Sequence, residues 1–234
     1  MTRTGPERVV GVVQARIGSR RLPGKMMMLL QGTPIIEWVF RRLQTSSRLH
    51  QTVFAIPDTA PNEGLAKHLS RLGATLFRGD EADVLDRIYQ AAKRFEARQV
   101  VRICADNPFI SGSEVDRLVD FFLREKCDYA YNHVPRNNRY PDGLGAEIAS
   151  FETLELIYRE AREPDHREHV FKYIWAFPER FGIRTFDPVE EGLRHPELKL
   201  DLNTREDYEK LNRLKVRIEM SAAEIVRAAL QGGA

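Results

Sequence analysis

The sequence predicts an α/β fold: one mainly parallel sheet flanked by helices, with a smaller lobe attached. Three observations carry that expectation. Residues 9–13, 53–56 and 100–104 are nearly continuous apolar runs without the alternation of a half-exposed strand, as expected of strands covered on both faces. Stretches with helical apolar spacing lie between them, giving the strand–helix–strand order of a doubly wound sheet. The first run also breaks abruptly into a loop rich in glycine and cations, Gly18, Ser19, Arg20, Arg21, Pro23, Gly24 and Lys25.

Composition sets the bounds. At 234 residues, 42% hydrophobic and 30% charged, the chain fits one sizeable globular domain. A formal net charge of +2 gives no support for bulk attraction to nucleic acid or an anionic membrane, so anion handling must be local. No apolar run approaches a membrane span, and residues 1–8 lack the apolar core of a signal peptide. The two cysteines, Cys104 and Cys127, form neither a disulfide framework nor a C-x-x-C pair. A cytoplasmic protein is the expectation.

The loop after the first strand suits a polyphosphate. Its glycines let backbone N–H groups approach oxygens, Ser19 adds a hydroxyl, and Arg16, Arg20, Arg21 and Lys25 supply charge. A solvated basic loop is the plainer alternative. It is not a P-loop, because Met26 follows Lys25 where Ser or Thr is required, and G-x-G-x-x-G does not occur there.

Thr33 is the expected N-cap of the next helix, with Pro34 in its first turn and Ile35, Ile36, Val39, Phe40 and Leu43 as its apolar face. Trp38 reads as packing. A helix over 63–72 and a short strand over 74–77 follow the second strand, and Arg78-Gly79-Asp80 leads into a helix bearing Val84, Leu85 and Ile88. After the strand at 100–104, Asp106 stands at a strand tip, where such sheets bind ligands; a turn aspartate before proline is the alternative. Ser113 and Asp116 imitate a capping box for a helix over 113–124. A strand over 128–132 precedes a polar loop at 133–143, either a lid or solvated surface. An amphipathic helix spans 151–161, and the next contains His166 and His169, whose spacing would put them on one face, although no third zinc ligand is evident. Residues 198–202 read as a last strand, Asn203 or Thr204 as a cap, and 222–230 as the terminal helix.

Several segments resemble one family. Q-A-R-I-G-S-R-R-L-P-G-K, with Gly32-Thr33-Pro34 and Glu37-Trp38-Val39 after it, is similar to the signature of cytidylyltransferases that activate acidic sugars, the CMP-Kdo and acylneuraminate synthetases. The nearest branch is that of spore coat polysaccharide biosynthesis protein F. Asp83-Val84-Leu85-Asp86-Arg87, Ala105-Asp106-Asn107-Pro108-Phe109-Ile110, Tyr140-Pro141-Asp142-Gly143-Leu144 with Glu147, Arg167-Glu168-His169-Val170 and the segment around Asp201 extend the likeness along most of the chain. Departures are Ala105 for Gly, Phe109 for Leu, Leu200 for Val, and Thr204-Arg205 where a proline usually stands.

The resemblance implies a Rossmann-like fold of the nucleotide-diphospho-sugar transferase type, forming one nucleotidyltransferase domain over 1–234. A small acceptor-binding and dimerisation lobe would lie at about 130–185. It also implies transfer of CMP from CTP to an acidic or amino sugar, with release of pyrophosphate. Arg16, Lys25, Asp106 and Asp201 would carry the chemistry, with Asp106 and Asp201 holding Mg²⁺. Ala15, Arg16, Gly18, Ser19, Arg21, Lys25, Arg78 and Arg87 would contact the nucleotide. Asn132, Tyr140, Asp142, Glu147, Arg167 and His169 would hold a small-molecule acceptor, in a homodimer without nucleic-acid or membrane partners. Two alternatives stand beside this: the same transfer to a phosphorylated non-sugar acceptor, and a nucleotide-sugar glycosyltransferase, whose usual Asp-x-Asp has only Asp201-Leu202-Asn203 as a counterpart.

Overall fold

In the computed structural model, which describes residues 7–232, a seven-stranded sheet forms the centre of the molecule. Strand β1 (Val9–Gln14) lies in the middle, flanked in parallel by β4 (Gln51–Pro57) and β6 (Gln99–Cys104), and β5 (Thr75–Gly79) extends the sheet beyond β4. Because the chain leaves β1 toward β4 on one side and reaches β6 on the other, the strand order reverses between β1 and β6. A crevice opens there at the carboxyl ends.

The sheet is mainly parallel, as expected, and one strand runs against the others. A strand not expected from the sequence, β8 (Glu147–Ser150), inserts antiparallel between β6 and β7 (Tyr129–Tyr131), and β9 (Ile183–Thr185) runs parallel to β7 at the edge. A mixed edge on a parallel sheet is common in folds of this class. It has a local consequence: the N-terminal end of β8 lies beside the carboxyl end of β6, with Glu147 opposite Arg102.

Side-chain alternation along the strands divides the core in two. Val9, Val13, Phe54, Val101 and Ile103 face α1 (Ile35–Leu43), α2 (Glu63–Arg71), α4 (Gly112–Glu125) and α9 (Ala222–Gly232). Val10, Val12, Val53, Val100, Tyr129 and Tyr131 face α3 (Val84–Arg94), α5 (Phe151–Glu160) and α7 (Lys172–Ala176). Residues of the 151–181 stretch therefore share a core with α3 across one sheet face.

Several boundaries differ from expectation for identifiable reasons. Thr33–Pro34 (β3) pairs antiparallel with Leu29–Leu30 (β2), so α1 begins at Ile35 with Pro34 as its N-cap. The cap of α4 is Ser111, whose hydroxyl accepts the Glu114 N–H. Asp116 instead accepts bonds from Ser46, Ser47 and Arg48 on the neighbouring loop. Residues 198–202 do not form a strand of the seven-stranded sheet; their β-type pairing is an isolated parallel bridge between Asp142 and Lys199, and Leu198, Leu200 and Leu202 pack into the core. Thr204 caps α8 (Arg205–Arg213) through a capping box with Asp207. The helix expected to carry both histidines is the short α6 (Pro164–Glu168). His169 terminates it, while His166 packs edge-on against Tyr173, 5.5 Å between ring centres, so the two share no face.

Candidate active site

A cleft of about 480 Å³ lies over the carboxyl ends of β1 and β6. The loop after β1 forms its rim, and its shape is held from within. The Ile17 N–H donates to Asn62 Oδ1 at 2.9 Å, and Asn62 is fully buried. Ser19 and Gly24 donate backbone N–H groups to the Ile17 carbonyl, and the Ser19 hydroxyl accepts the Leu22 N–H. Gly24 sits at φ +73°, a left-handed conformation that costs glycine least, and it turns the chain so that Lys25 points inward.

Lys25 ties the site together. Its ammonium, on a residue only 8% exposed, donates to Asp106 Oδ2 at 3.0 Å and to the Leu202 carbonyl at 2.8 Å. The Leu202 N–H in turn donates to the Asp106 carbonyl at 2.8 Å, which brings Asp201 beside Asp106 although 95 positions separate them in sequence. Gly143 makes this approach possible: at φ +97°, a Cβ there would lie 2.7 Å from the Asp201 nitrogen. Asp201 is buried. One carboxylate oxygen accepts from the Asn203 amide, while Oδ1 is buried with no hydrogen-bond partner among the described residues. Burial raises the Asp201 carboxyl above its ordinary value, the neighbouring Lys199 opposes this, and the charge of Asp106 adds to it. Asn203 Oδ1 accepts from Arg21 at 2.6 Å, so both ends of that side-chain amide are used. Asn203 is thus a poor counterpart of the second acid of an Asp-x-Asp motif.

The expected nucleotide residues divide. Ala15, Arg16, Ser19, Arg21 and Lys25 line the cleft, with Asp106 beside them, and Gly18 lies on the same loop. Arg78 does not reach it: two strands away on β5, it pairs with Asp58 at 3.1 Å and Glu63 at 2.6 Å. Arg87 is fully buried, donating to the carbonyls of Asp80 and Glu81, with Nε and Nη2 making no hydrogen bond among the described residues. Burial, helped by the charge of Arg16, lowers its guanidinium to about 10, still fully protonated at neutral pH.

The expected acceptor residues are scattered. No residue of 132–147 lines the cleft. The 133–143 loop is pinned to the β9 side instead, by the Arg139–Asp187 pair at 2.8 Å, by Asn138 donating to Thr185, and by Arg136 stacked 3.7 Å over the Trp175 ring. Tyr140 is buried and donates its hydroxyl to Glu114 at 2.6 Å, and the buried Asn132 side chain bridges the Glu114 carbonyl and the Ala146 N–H. Arg167 clasps Asp83, the N-cap of α3. Asp142 lies behind Asp201, and burial, reinforced by the charge of Asp201, pushes its carboxyl up to about 7. Only His169 of this group opens directly onto the cleft, next to Glu168, which pairs with Arg16 at 3.3 Å.

Glu147 reaches the cleft through another residue. It is buried against Arg102, accepts the Tyr129 hydroxyl, and lies 3.8 Å from His133 Nε2. Burial alone would raise the Glu147 carboxyl; Arg102, and to a lesser degree His133, outweigh it and hold it below its ordinary value. Arg102 lines the cleft floor with Gln14 and Cys104. Burial pushes the Cys104 thiol up to about 12, so no thiolate is present at neutral pH. The signal for Arg102 was visible, since a lone cation interrupts the apolar run Val100-Val101-Arg102-Ile103. Gln14 and Glu168 lie inside motifs that carry the resemblance but were not singled out, and nothing local pointed to Asn62.

A buried lysine thus ties the cation-rich loop at the switch point to Asp106 and to the carbonyl that follows Asp201. The sequence profile of the family described as Cytidylyltransferase matches residues 10–229. The chain belongs to the cytidylyltransferase family. It is 29% identical to the spore coat polysaccharide biosynthesis protein SpsF of Bacillus subtilis, over 93% of this chain and 92% of that one. It is 33% identical to the 3-deoxy-manno-octulosonate cytidylyltransferase of Bdellovibrio bacteriovorus over 53% of this chain and 49% of the other. Among solved structures, a cytidylyltransferase from Leptospira borgpetersenii superposes with a TM-score of 0.88 at 27% identity, covering 97% of this chain and 95% of that one. Within this cytidylyltransferase, no helix among the described residues is long and apolar enough to cross a membrane.

Proposed function

We propose that the protein transfers CMP from CTP to an acidic or amino sugar, releasing pyrophosphate, in the synthesis of a surface polysaccharide or glycoconjugate. The observation that carries this reading is Lys25, which lines the cleft with Asp106 and ties the phosphate-type loop to Asp106 and to the Leu202 carbonyl next to Asp201. The relatives named for spore coat polysaccharide synthesis and for 3-deoxy-manno-octulosonate activation support the acceptor class.

In this reading the triphosphate lies along the β1 loop. Arg16, Arg21 and Lys25 offset its charge, and the Ser19 hydroxyl and loop N–H groups donate to its oxygens. An acceptor oxygen attacks the α-phosphorus in line with the bridging oxygen to the β-phosphorus. The new P–O bond forms as that bridging bond breaks, and pyrophosphate departs toward the loop cations, which stabilise the charge it gains. Lys25 holds Asp106 and the Leu202 carbonyl in place meanwhile, so the site needs little reorganisation.

Two neighbouring carboxylates, one with a buried oxygen that accepts no hydrogen bond among the described residues, suit a hard divalent cation completed by phosphate and water oxygens. Asp106 and Asp201 would hold Mg²⁺, which would supply further charge neutralisation at the triphosphate. We place the enzyme in the cytoplasm as a homodimer, with one nucleotidyltransferase domain and residues of about 130–185 on the acceptor and dimer side.

The test is pyrophosphate release with Mg²⁺ and each of the four nucleoside triphosphates, against acidic and amino sugars, beside Asp106→Asn and Asp201→Asn. Release with CTP alone, dependent on a sugar and lost in both variants, is the expected result. A folded protein that binds no nucleotide refutes the reading.

A further inference from the structure

A second cavity, of about 410 Å³, shares no lining residue with the cleft. Tyr158, Arg159, Ala161, Arg162 and Arg167 line it, so three of its five lining residues are cations and none is acidic. Converging like charges repel, and nearby carboxylates offset this only in part. Glu155 pairs with Arg159 at 3.1 Å along α5, and Asp83 holds Arg167. Arg162 is exposed and makes no ion pair or hydrogen bond among the described residues.

Part of this donor set is fixed in orientation. Arg167 gives Nε and Nη2 to Asp83 and Nη1 to the Tyr158 carbonyl, the last at 3.1 Å. Its guanidinium stands 5.0 Å from the centre of the Tyr158 ring, which stacks in turn on Tyr89 with 4.1 Å between ring centres. A guanidinium has five N–H donors and no acceptor. Arg167 therefore keeps two N–H groups and Arg162 keeps all five. A single carboxylate, with two oxygens and one charge, is satisfied by one fork. Phosphate groups carry three acceptor oxygens and about two charges each, so a diphosphate can engage several forks together.

We propose that this cavity is a second anion site, which takes a diphosphate group independently of the nucleotide cleft. The competing account is that these arginines merely offset the partial charge at the carboxyl end of α5. That account suits Arg159, in the last turn of the helix, but not Arg162, which follows Ala161 in extended backbone beyond the helix end. Helix α6 borders both sites, since Arg167 lines this cavity while Glu168 pairs with Arg16 in the cleft. Variants must therefore separate the two.

The experiment titrates the full chain with inorganic pyrophosphate by calorimetry, beside Arg162→Gln, Arg159→Gln/Arg162→Gln and Lys25→Met. The parent should show two binding events. Both arginine variants should weaken one of them by about 10- to 100-fold and leave the Kd for CTP within about twofold. Lys25→Met should spare the event that Arg162→Gln weakens. CDP in place of pyrophosphate identifies the source: filling of the Arg162-dependent site by CDP points to a nucleotide, filling by pyrophosphate alone to the free anion, and either supports the assignment. A lower Tm in the arginine variants with unchanged pyrophosphate binding favours helix capping and overturns it. So does a single event abolished by Lys25→Met, or a loss in the arginine variants that sedimentation shows only together with a changed oligomeric state. Because pyrophosphate binding is read without turnover, failure of the transferase reading would leave this result standing.

Discussion

Replacing Glu147 with Gln tests how the cleft floor is held. The Arg102 and Glu147 side chains are 11% and 7% exposed, and they lie directly opposite one another across β6 and β8. Glutamine keeps the shape and can still accept the Tyr129 hydroxyl, so packing is nearly conserved, but the negative charge is gone. Arg102 then retains a buried positive charge whose remaining acceptor is the neutral Gln14. Stranding one member of a buried pair costs about 3–5 kcal/mol. For a chain of this size each kcal/mol moves the midpoint by about 2–4 °C, so Tm should fall by about 6–20 °C. Desolvation predicts more. The double variant Arg102→Met/Glu147→Leu removes both charges together and should be less destabilised than Glu147→Gln alone. Urea and thermal unfolding of the parent, the single variants and the double variant would supply the cycle. A Glu147→Gln cost below about 1 kcal/mol, or strictly additive costs, would refute the premise that these charges depend on one another.

Three further outcomes follow from the same geometry. Lys25→Met should lower kcat for pyrophosphate release by about 100- to 1,000-fold, because it removes a pre-oriented cation and frees Asp106; a loss under fivefold would place Lys25 outside the machinery. Asp142 has its carboxyl at about 7, above its ordinary 3.8, so the folded protein favours the protonated form. That contribution is fully present below about pH 4 and is lost as pH rises through 7. Asp142→Asn should thus be more stable than the parent at pH 8, by about 1–2 kcal/mol after allowing for solvent access, with the difference vanishing near pH 4. A difference that does not vary with pH in equilibrium unfolding would count against it. Asn62→Ala removes the buried acceptor of the Ile17 N–H and should cost about 1–3 kcal/mol while weakening CTP binding measured by calorimetry. Unchanged CTP affinity would show that the loop holds its shape without Asn62.

What the sequence determined by itself was whatever local pattern and composition encode. Nearly continuous apolar runs announced β1, β4 and β6 because a strand covered on both faces has little polar side to show. Gly24, Lys25 and the neighbouring arginines marked the loop because a left-handed turn and a dense positive charge are properties of adjacent residues. Asp106 was found by its position at a strand tip, and Asp201 by resemblance. The tertiary structure decided which charges meet. Arg78 and Arg87 read as nucleotide contacts, yet one pairs with Asp58 and Glu63 two strands away from β1 and the other is buried against the carbonyls of Asp80 and Glu81. Arg102 and Glu147 are 45 positions apart and become opposite neighbours only because β8 enters the sheet reversed, which its four residues do not announce. Tyr140 and Asn132 sit in a segment that resembles an acceptor loop but turn inward onto Glu114, since a buried carboxylate needs donors wherever the fold supplies them. A strand can be read from its own residues, whereas an ion pair between strands depends on their order and direction, which long-range packing sets.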